Sequence, residues 1–197
     1  MQINFSQSGQ KLTFDASPSD DDIEFYANRK AKLARHTASF NLPDDVKIDQ
    51  IHPDLLALAS ILIFGPFTKR EIALSWNVSS AFSTAVSEFF RRHLGPVGQD
   101  VEPRVDDVAG VDALAFSGGI DSVAALALLP DDTVSCFMLR QVPTDVKKTL
   151  YRPDGAIRSC DDLKASGRIV FMIETDMEYV REPVGFTVDW MNAVGAV

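Results

Sequence analysis

Residues 113–122 read ALAFSGGIDS, a short apolar run followed by two adjacent glycines with a serine before and after them. The run predicts a buried strand over Val111–Phe116, and the Ala/Leu-rich stretch behind it predicts a helix over Asp121–Leu129, ended by Pro130. The turn between them then lies at the carboxyl end of a strand, where open α/β sheets bind their ligands. This segment therefore indicates both a fold class and a candidate site.

Two more apolar runs follow, Thr133–Leu139 and Ile169–Ile173, and neither alternates with polar residues. Between them we expect a short helix that Ser159 caps and Gly167 closes. Apolar strands without alternation, separated by helices, are typical of a parallel sheet that is covered on both faces. The sequence therefore predicts an α/β fold with a parallel, doubly wound sheet.

The N-terminal half predicts a smaller α+β domain over residues 1–104. Its expected elements, in chain order, are a hairpin around Ser8-Gly9, a helix over Ile23–Arg35, a buried helix over Leu55–Phe64, a strand over Ile72–Val78 and a helix capped by Ser79 or Ser80. Residues 95–107 are rich in Pro, Gly and acidic residues and predict a linker. The second predicted domain covers residues 105–197 and contains the glycine turn.

The composition is that of an ordinary folded protein, with 197 residues of which 46% are hydrophobic and 24% charged. The net charge of −9 argues against a general nucleic-acid binder but leaves room for a local phosphate site. The longest apolar run, Leu55–Phe64, is too short to span a bilayer, and residues 1–10 lack a signal-peptide pattern. We therefore expect a cytoplasmic protein. Two cysteines and three scattered histidines predict neither a disulfide framework nor a zinc site.

The glycine turn has the residue types that phosphate binding needs. Gly118 and Gly119 let the backbone turn its N–H groups toward one point, with no side chain to block an anion. The following helix adds its own unsatisfied N–H groups and a partial positive charge. Ser117 and Ser122 supply hydroxyl donors on either side. Because the turn has no lysine, it is not a Walker loop.

Asp121 is the unusual residue of this turn, since a carboxylate repels phosphate. The conflict disappears if Mg²⁺ bridges the two, because Mg²⁺ commonly shares carboxylates with nucleotide phosphates. We therefore predict Asp121 as a magnesium ligand, bound directly or through water. The alternative is that Asp121 only caps its helix.

The motif SGGIDS, preceded by an apolar strand, resembles the pyrophosphate-binding loop of the PP-loop ATP pyrophosphatases. The resemblance covers about Val111 to Asp176. It implies a fold of the adenine nucleotide alpha hydrolase-like (HUP) type, with later strands that are missing here or supplied elsewhere. It also implies cleavage of ATP to AMP and pyrophosphate. In this family an acceptor is adenylylated and is later attacked by ammonia, an amine or a sulfur donor.

The resemblance also implies roles for particular residues, with ATP and Mg²⁺ as cofactors. The pyrophosphate part and its metal would be held by Ser117, Gly118, Gly119, Ile120, Asp121 and Ser122, of which Ser117 and Asp121 would be catalytic. Adenosine would be held by the backbone near Ala115, Phe116, Met138 and Leu139. Neither the acceptor nor the source of the nucleophile is implied.

Several interpretations stay open. Glu174 and Asp176 either face the substrate or a second metal, or are exposed loop acids. The basic residues after the second apolar run either supply positive charge to the phosphates or form a solvated surface; they are Arg140, Lys147, Lys148 and Arg152.

The C-terminal part is short for the family, so we expect a truncated chain or a domain completed by another chain. Assembly into a homo-oligomer also stays open. We expect the acceptor to be a small molecule or a macromolecule, and we expect no membrane partner. The alternative function is a non-catalytic nucleotide-binding or scaffold module completed by another chain. A third interpretation is a plain α/β domain whose glycine turn binds nothing.

Overall fold

The computed structural model describes residues 1–27, 31–44, 46–105, 110–147, 149, 151–188 and 191–196. The strands are β1 (Gln2–Ser8), β2 (Lys11–Ser17), β3 (Lys32–Leu33), β4 (Thr37–Asn41), β5 (Glu71–Val78), β6 (His93–Val97), β7 (Ala113–Ala115), β8 (Val134–Arg140), β9 (Val170–Thr175) and β10 (Arg181–Glu182). The α-helices are α1 (Asp20–Ala27), α2 (Pro53–Phe64), α3 (Ser80–Phe90), α4 (Ile120–Leu128) and α5 (Asp154–Ala165). Short 3-10 helices lie at Ile48–Gln50, Gly65–Phe67, Met177–Val180 and Met191–Ala196.

Eight strands form one sheet in the order β6-β5-β1-β2-β4-β9-β8-β7, and β3 pairs with β10 separately. Strands β7, β8 and β9 are parallel to one another, as the three apolar runs predict. Strands β1, β5 and β6 are also parallel. The α/β class is confirmed. The sheet as a whole is mixed, however, because β2 and β4 join its two parallel parts through antiparallel pairings.

The two halves of the chain meet where β4 pairs with β9, with Asn41 opposite Glu174. One sheet thus spans the predicted boundary at residues 104/105. Side chains add to this junction. Asn41 Nδ2 donates to the Glu174 carboxylate over 3.1 Å, and the Ser39 amide donates to Asp176 over 2.7 Å. The division into two domains stays a prediction.

Most of the predicted N-terminal elements are confirmed. The hairpin is β1–β2 with Gly9 in its turn at φ +58°, the buried helix is α2 and the predicted strand is β5. Of the two candidate caps for α3, Ser79 is the one that acts, because its Oγ accepts the Phe82 amide over 3.1 Å.

The helix predicted over Ile23–Arg35 is wrong at both ends. It begins earlier, at Asp20, because the Ser19 hydroxyl and the Asp22 carboxylate hydrogen-bond across the first turn. It ends at Ala27, and the later residues Lys32–Leu33 form β3, where Leu33 is buried and pairs with β10. Pairing with a distant strand therefore overrides the local helical pattern.

Two C-terminal predictions are also corrected. Ser159 does not cap α5, because the helix begins at Asp154 and the Ser159 hydroxyl donates to Gly155 O inside it, over 3.1 Å. The predicted linker over residues 95–107 begins too early, since its first residues belong to β6. The last residues of that linker, 106 and 107, lie outside the described residues.

Two apolar clusters hold the sheet between its helices. The larger one joins β1, β2, β5 and α2, with Ile3, Phe14, Ile61 and Ile72 almost fully buried. The smaller one lies between β7–β9 and the helices α4 and α5, and its buried residues are Phe116, Leu126, Phe137, Cys160 and Val170. No helix within the described ranges is long and apolar enough to cross a membrane.

Substitution of Ser79 by alanine is expected to destabilise the fold by about 2 kcal/mol. Ser79 is fully buried, caps α3 and donates its hydroxyl to the buried Asp54 carboxylate over 2.7 Å. The change removes the cap of the Phe82 amide and one hydrogen bond to Asp54, whose carboxylate then keeps the Ser79 amide as a donor. Urea unfolding measures the effect. The neighbouring variant Ser80→Ala is the control, since Ser80 is exposed and its side chain caps nothing. Equal stabilities of the two variants would contradict the assignment of the cap.

Candidate functional site

The glycine turn leaves the sheet at the end of β7. The Phe116 amide donates to Cys136 O over 2.9 Å, and the chain then turns away from β8. Gly118 has φ +74°, a left-handed conformation that favours glycine. A Cβ on Gly118 would lie 3.4 Å from Ala156 Cα in α5. The turn therefore needs glycine at 118, and the first residues of α5 lie against it.

The two serine hydroxyls of the turn lie together. Ser122 Oγ donates to Gly119 O over 2.9 Å, and Ser117 Oγ accepts the Gly119 amide over 3.3 Å. The two hydroxyl oxygens are 3.2 Å apart. The sequence predicted hydroxyls on both sides of a phosphate site, and the geometry brings them to one side of the turn, at the beginning of α4.

The beginning of α4 has backbone donors that no group in the described chain uses. Its first hydrogen bond runs from the Val123 amide to Gly119 O over 3.0 Å, and no side chain caps the helix. The three preceding amides therefore have no acceptor among the described residues; they belong to Ile120, Asp121 and Ser122. Because Gly119, Ile120 and Asp121 are exposed, these donors are open to an anion.

Asp121 lies in the first turn of α4 with an exposed side chain. The alternative role of helix cap is not observed, because its carboxylate accepts no hydrogen bond from a described residue. Within the described chain, no group of three or more His, Cys, Asp or Glu side chains is placed to hold a metal ion. A single exposed carboxylate suits Mg²⁺ that takes its other oxygen ligands from phosphate and water.

The residues expected near adenosine flank the same end of the sheet. Phe116 is buried in the smaller cluster, and Leu139 packs against it. Met138 packs on the opposite face, where a Cβ on Gly195 would lie only 3.2 Å from Met138 Cγ. These side chains are therefore occupied by packing, while Ala115 is half-buried at the end of β7.

The backbone of β8 extends past the end of β7. The Cys136 carbonyl accepts a hydrogen bond from the Phe116 amide, just after the last residue of β7. Because backbone groups two residues apart in a strand point to the same side, the amide and carbonyl of Met138 point to the side of β7 as well. The backbone of Met138 therefore faces the edge of the sheet beyond the end of β7.

Glu174 and Asp176 have structural partners. The Glu174 carboxylate accepts from Asn41 Nδ2 and from Gln141 Nε2, the latter over 2.7 Å. Asp176 accepts the Ser39 amide. Both acids therefore connect β9 to its neighbours at the junction of the two chain halves. This structural role differs from both open interpretations, which were a substrate or metal contact and an exposed loop acid.

Of the described basic residues predicted after the second apolar run, one forms an ion pair and two have exposed side chains. Arg140 pairs with the Glu178 carboxylate and lies over the Tyr151 ring, with its guanidinium carbon 4.7 Å from the ring centre. Its charge is therefore compensated by Glu178. Lys147 and Arg152 are exposed, and the remaining candidate, Lys148, lies outside the described residues.

Sequence reasoning missed the beginning of α5 as a neighbour of the site. Ala156, in the first turn of α5, is the residue closest to the missing Cβ of Gly118. No side chain caps this helix either. The signal was present in Pro153-Asp154-Gly155, since proline and an acid are common at helix starts. The emphasis on Ser159 placed the helix start too late.

Comparison with known proteins leaves the family of this chain open. No family model, curated protein or solved structure matches it. The likeness to PP-loop ATP pyrophosphatases therefore consists of SGGIDS at residues 117–122 and its strand–turn–helix setting.

Proposed function

We propose that the chain binds Mg·ATP at residues 117–122 and cleaves it to AMP and pyrophosphate, adenylylating an acceptor. One observation carries the proposal: α4 begins on an exposed turn, with three backbone amides that have no acceptor within the described residues. Two serine hydroxyls lie 3.2 Å apart beside these amides. Together they form a cluster of donors without lysine or arginine, which suits the end of a polyphosphate that carries its own cation.

The proposed roles follow from where charge develops. An acceptor oxygen forms a bond to the α-phosphorus, while the bond from that phosphorus to the oxygen shared with the β-phosphate breaks. The leaving pyrophosphate gains negative charge, which the α4 amides and the Ser117 hydroxyl would stabilise. The Ser122 hydroxyl, which donates to Gly119 O in this structure, would join them after rotating toward the phosphate. Asp121 would hold Mg²⁺, which supplies charge neutralisation when bound. Ammonia, an amine or a sulfur nucleophile then displaces AMP from the acceptor.

Mg·ATP is expected to stabilise the protein and to yield AMP with pyrophosphate. At about 100 times its dissociation constant a ligand adds about 2.7 kcal/mol, which raises Tm by roughly 5–10 °C in a chain of this size. Thermal unfolding measures the binding, and phosphorus NMR in the presence of candidate acceptors identifies the products. Release of ADP and phosphate would contradict cleavage between the α and β phosphates. An unchanged Tm at millimolar Mg·ATP would favour a turn that binds nothing.

A second candidate function is a non-catalytic nucleotide-binding or scaffold module that another chain completes. The outer side of α4 favours it, because Ile120, Val123 and Leu128 are 83%, 50% and 88% exposed. The helix lies beside β7, a strand of three residues at the edge of the sheet. A helix that is apolar on its outer side as well is typical of one that a further element covers. Saturable ATP binding without AMP release would favour this function over the enzymatic one.

A further inference from the structure

The outer side of α4 carries an apolar patch that no described element covers. Its members are all exposed and recur at helical spacing; they are Ile120, Val123, Ala124, Ala127 and Leu128. Leu126, on the opposite face of the helix, is buried against the sheet. A helix that is apolar on both faces is typical of one that is buried on both. The patch therefore indicates an interface.

The strand beneath this helix has backbone groups that are open for pairing. β7 is the last strand of the sheet, and no described strand pairs with its outer side. On its inner side, the Asp112 carbonyl and the Phe116 amide form hydrogen bonds of 2.9 Å to β8. Since backbone groups alternate between the two sides of a strand, the N–H and C=O groups of Ala113 and Ala115 point outward.

These outward groups match a second copy of themselves. In an antiparallel pair, two facing residues exchange both of their N–H···O bonds. A two-fold axis at Leu114 sets Ala113 opposite Ala115 of the second copy, and Ala115 opposite Ala113, so that every outward group of both residues finds a partner. The same axis makes the two α4 helices antiparallel neighbours, because each packs on its own β7 at the edge of the sheet. One symmetric contact thus satisfies both the strand edge and the patch.

We propose that the patch and the outer side of β7 form a two-fold interface between copies of this chain. An aliphatic side chain removes roughly 60–120 Å² from water when it is fully buried. The patch and the strand edge together bury on the order of 400 Å² per copy, which is half of the ~800 Å² per partner in a standard stable interface. The dimer is therefore weak and reversible, with a Kd on the order of 100 µM. It supplies the covering chain of the second candidate function and does not require nucleotide binding.

Sedimentation equilibrium of the full chain, without nucleotide, tests whether the dimer forms. NaCl at about 0.5 M screens the exposed acids at the two ends of α4, Asp121 and Asp132. We expect the average mass to rise from the monomer value of 21.6 kDa toward twice that value as the protein concentration passes the Kd. A mass that stays at the monomer value up to about 1 mM protein, ten times the expected Kd, would overturn the proposal.

Opposite charges at position 123 test the two-fold axis. Val123 lies in the middle of the patch, so the axis brings it close to its own copy. Val123→Lys and Val123→Glu should each weaken the dimer at least tenfold, because like charges then face each other, and an equimolar mixture of the two should restore it. The matched control is Val184→Glu, since Val184 is 48% exposed, close to the 50% of Val123, and lies outside the patch. Wild-type affinity in either single variant, or a mixture that dimerises no better than the single variants, would show that the contact is not the proposed one.

Amide hydrogen exchange, read by NMR, tests the pairing of β7. At ten times the Kd about a fifth of the chains are monomeric, so the amides of Ala113 and Ala115 should exchange about fivefold more slowly in the wild type than in Val123→Glu at the same concentration. The amide of Leu114 is the internal control, because it faces β8 in either state. Equal exchange of Ala113 and Ala115 in the two proteins would mean that β7 does not pair with a second copy, and the proposed interface would be wrong.

Discussion

Asp121→Asn is expected to weaken Mg·ATP binding about a hundredfold and to lower the stability of the free protein by less than about 1 kcal/mol. The Asp121 side chain is exposed and accepts no hydrogen bond from a described residue, so its charge contributes to folding only through the favourable position of an acid in the first turn of α4. Its proposed use is to hold Mg²⁺ beside the phosphates, and interactions of ionised groups are worth about 1.5–3 kcal/mol each. A hundredfold loss of affinity corresponds to about 2.7 kcal/mol, which lies within that range.

Calorimetry with Mg·ATP and with metal-free ATP separates the metal from the phosphate contacts. In the Asp121→Asn variant the affinity for metal-free ATP should stay the same or rise, because a negative charge beside the phosphates is removed. Asp132→Asn is the matched control, since Asp132 is an exposed acid just beyond the other end of α4. If Asp121→Asn and the control bind Mg·ATP with the wild-type affinity, the proposed magnesium bridge is wrong.

Asp22→Asn is expected to destabilise the protein by about 3–5 kcal/mol. The Asp22 carboxylate pairs with the Met1 ammonium group over 2.7 Å, and both side chains are almost fully buried. It also accepts the amides of Ser19 and Lys69. Loss of the carboxylate charge leaves a buried ammonium group without a counterion, so the cost exceeds that of an exposed pair.

The same carboxylate predicts a loss of stability in acid. Burial on its own raises the pKa of Asp22, but hydrogen bonds from the Met1 ammonium group, Lys69 and Ser19 outweigh it and bring the pKa below its ordinary value of 3.8. A lowered pKa in the folded state means that Asp22 stabilises the fold above pH 3.8 and that this contribution is lost as the pH falls below that value. In Asp22→Asn this part of the pH dependence should disappear.

Urea unfolding at a series of pH values measures both effects. Asp21→Asn is the control, since the Asp21 side chain is 46% exposed and its contacts with Lys69 and Arg70 are 3.6 Å long. We expect the control to change the free energy of unfolding by less than about 1 kcal/mol. A stability of Asp22→Asn close to that of the control would show that the buried pair contributes little.

Local signals explain what could be predicted about the site. The strand, the turn and α4 follow from an apolar run, two adjacent glycines and an Ala/Leu-rich stretch that stops at Pro130, all within a short segment. The parallel order of β7, β8 and β9 follows from their apolar sequences. The start of α5 was predicted wrongly because two start signals lie close together in the sequence. Ser159 is a common type of helix cap but lies inside α5, and Pro153-Asp154 marks the actual start.

The amino-acid sequence by itself indicated the α/β class, the parallel C-terminal strands and the donor-rich turn, because each leaves a pattern within one continuous stretch of chain, such as an apolar run without alternation or a pair of glycines. The tertiary structure alone decided how the halves join, since the pairing of β4 with β9 depends on contacts between residues far apart in the chain. The same contacts made Glu174, Asp176 and Arg140 structural partners. The pocket between α2 and the sheet depends on such contacts too, because its lining residues come from segments that are far apart in the chain, among them Phe14, Leu55 and Cys136.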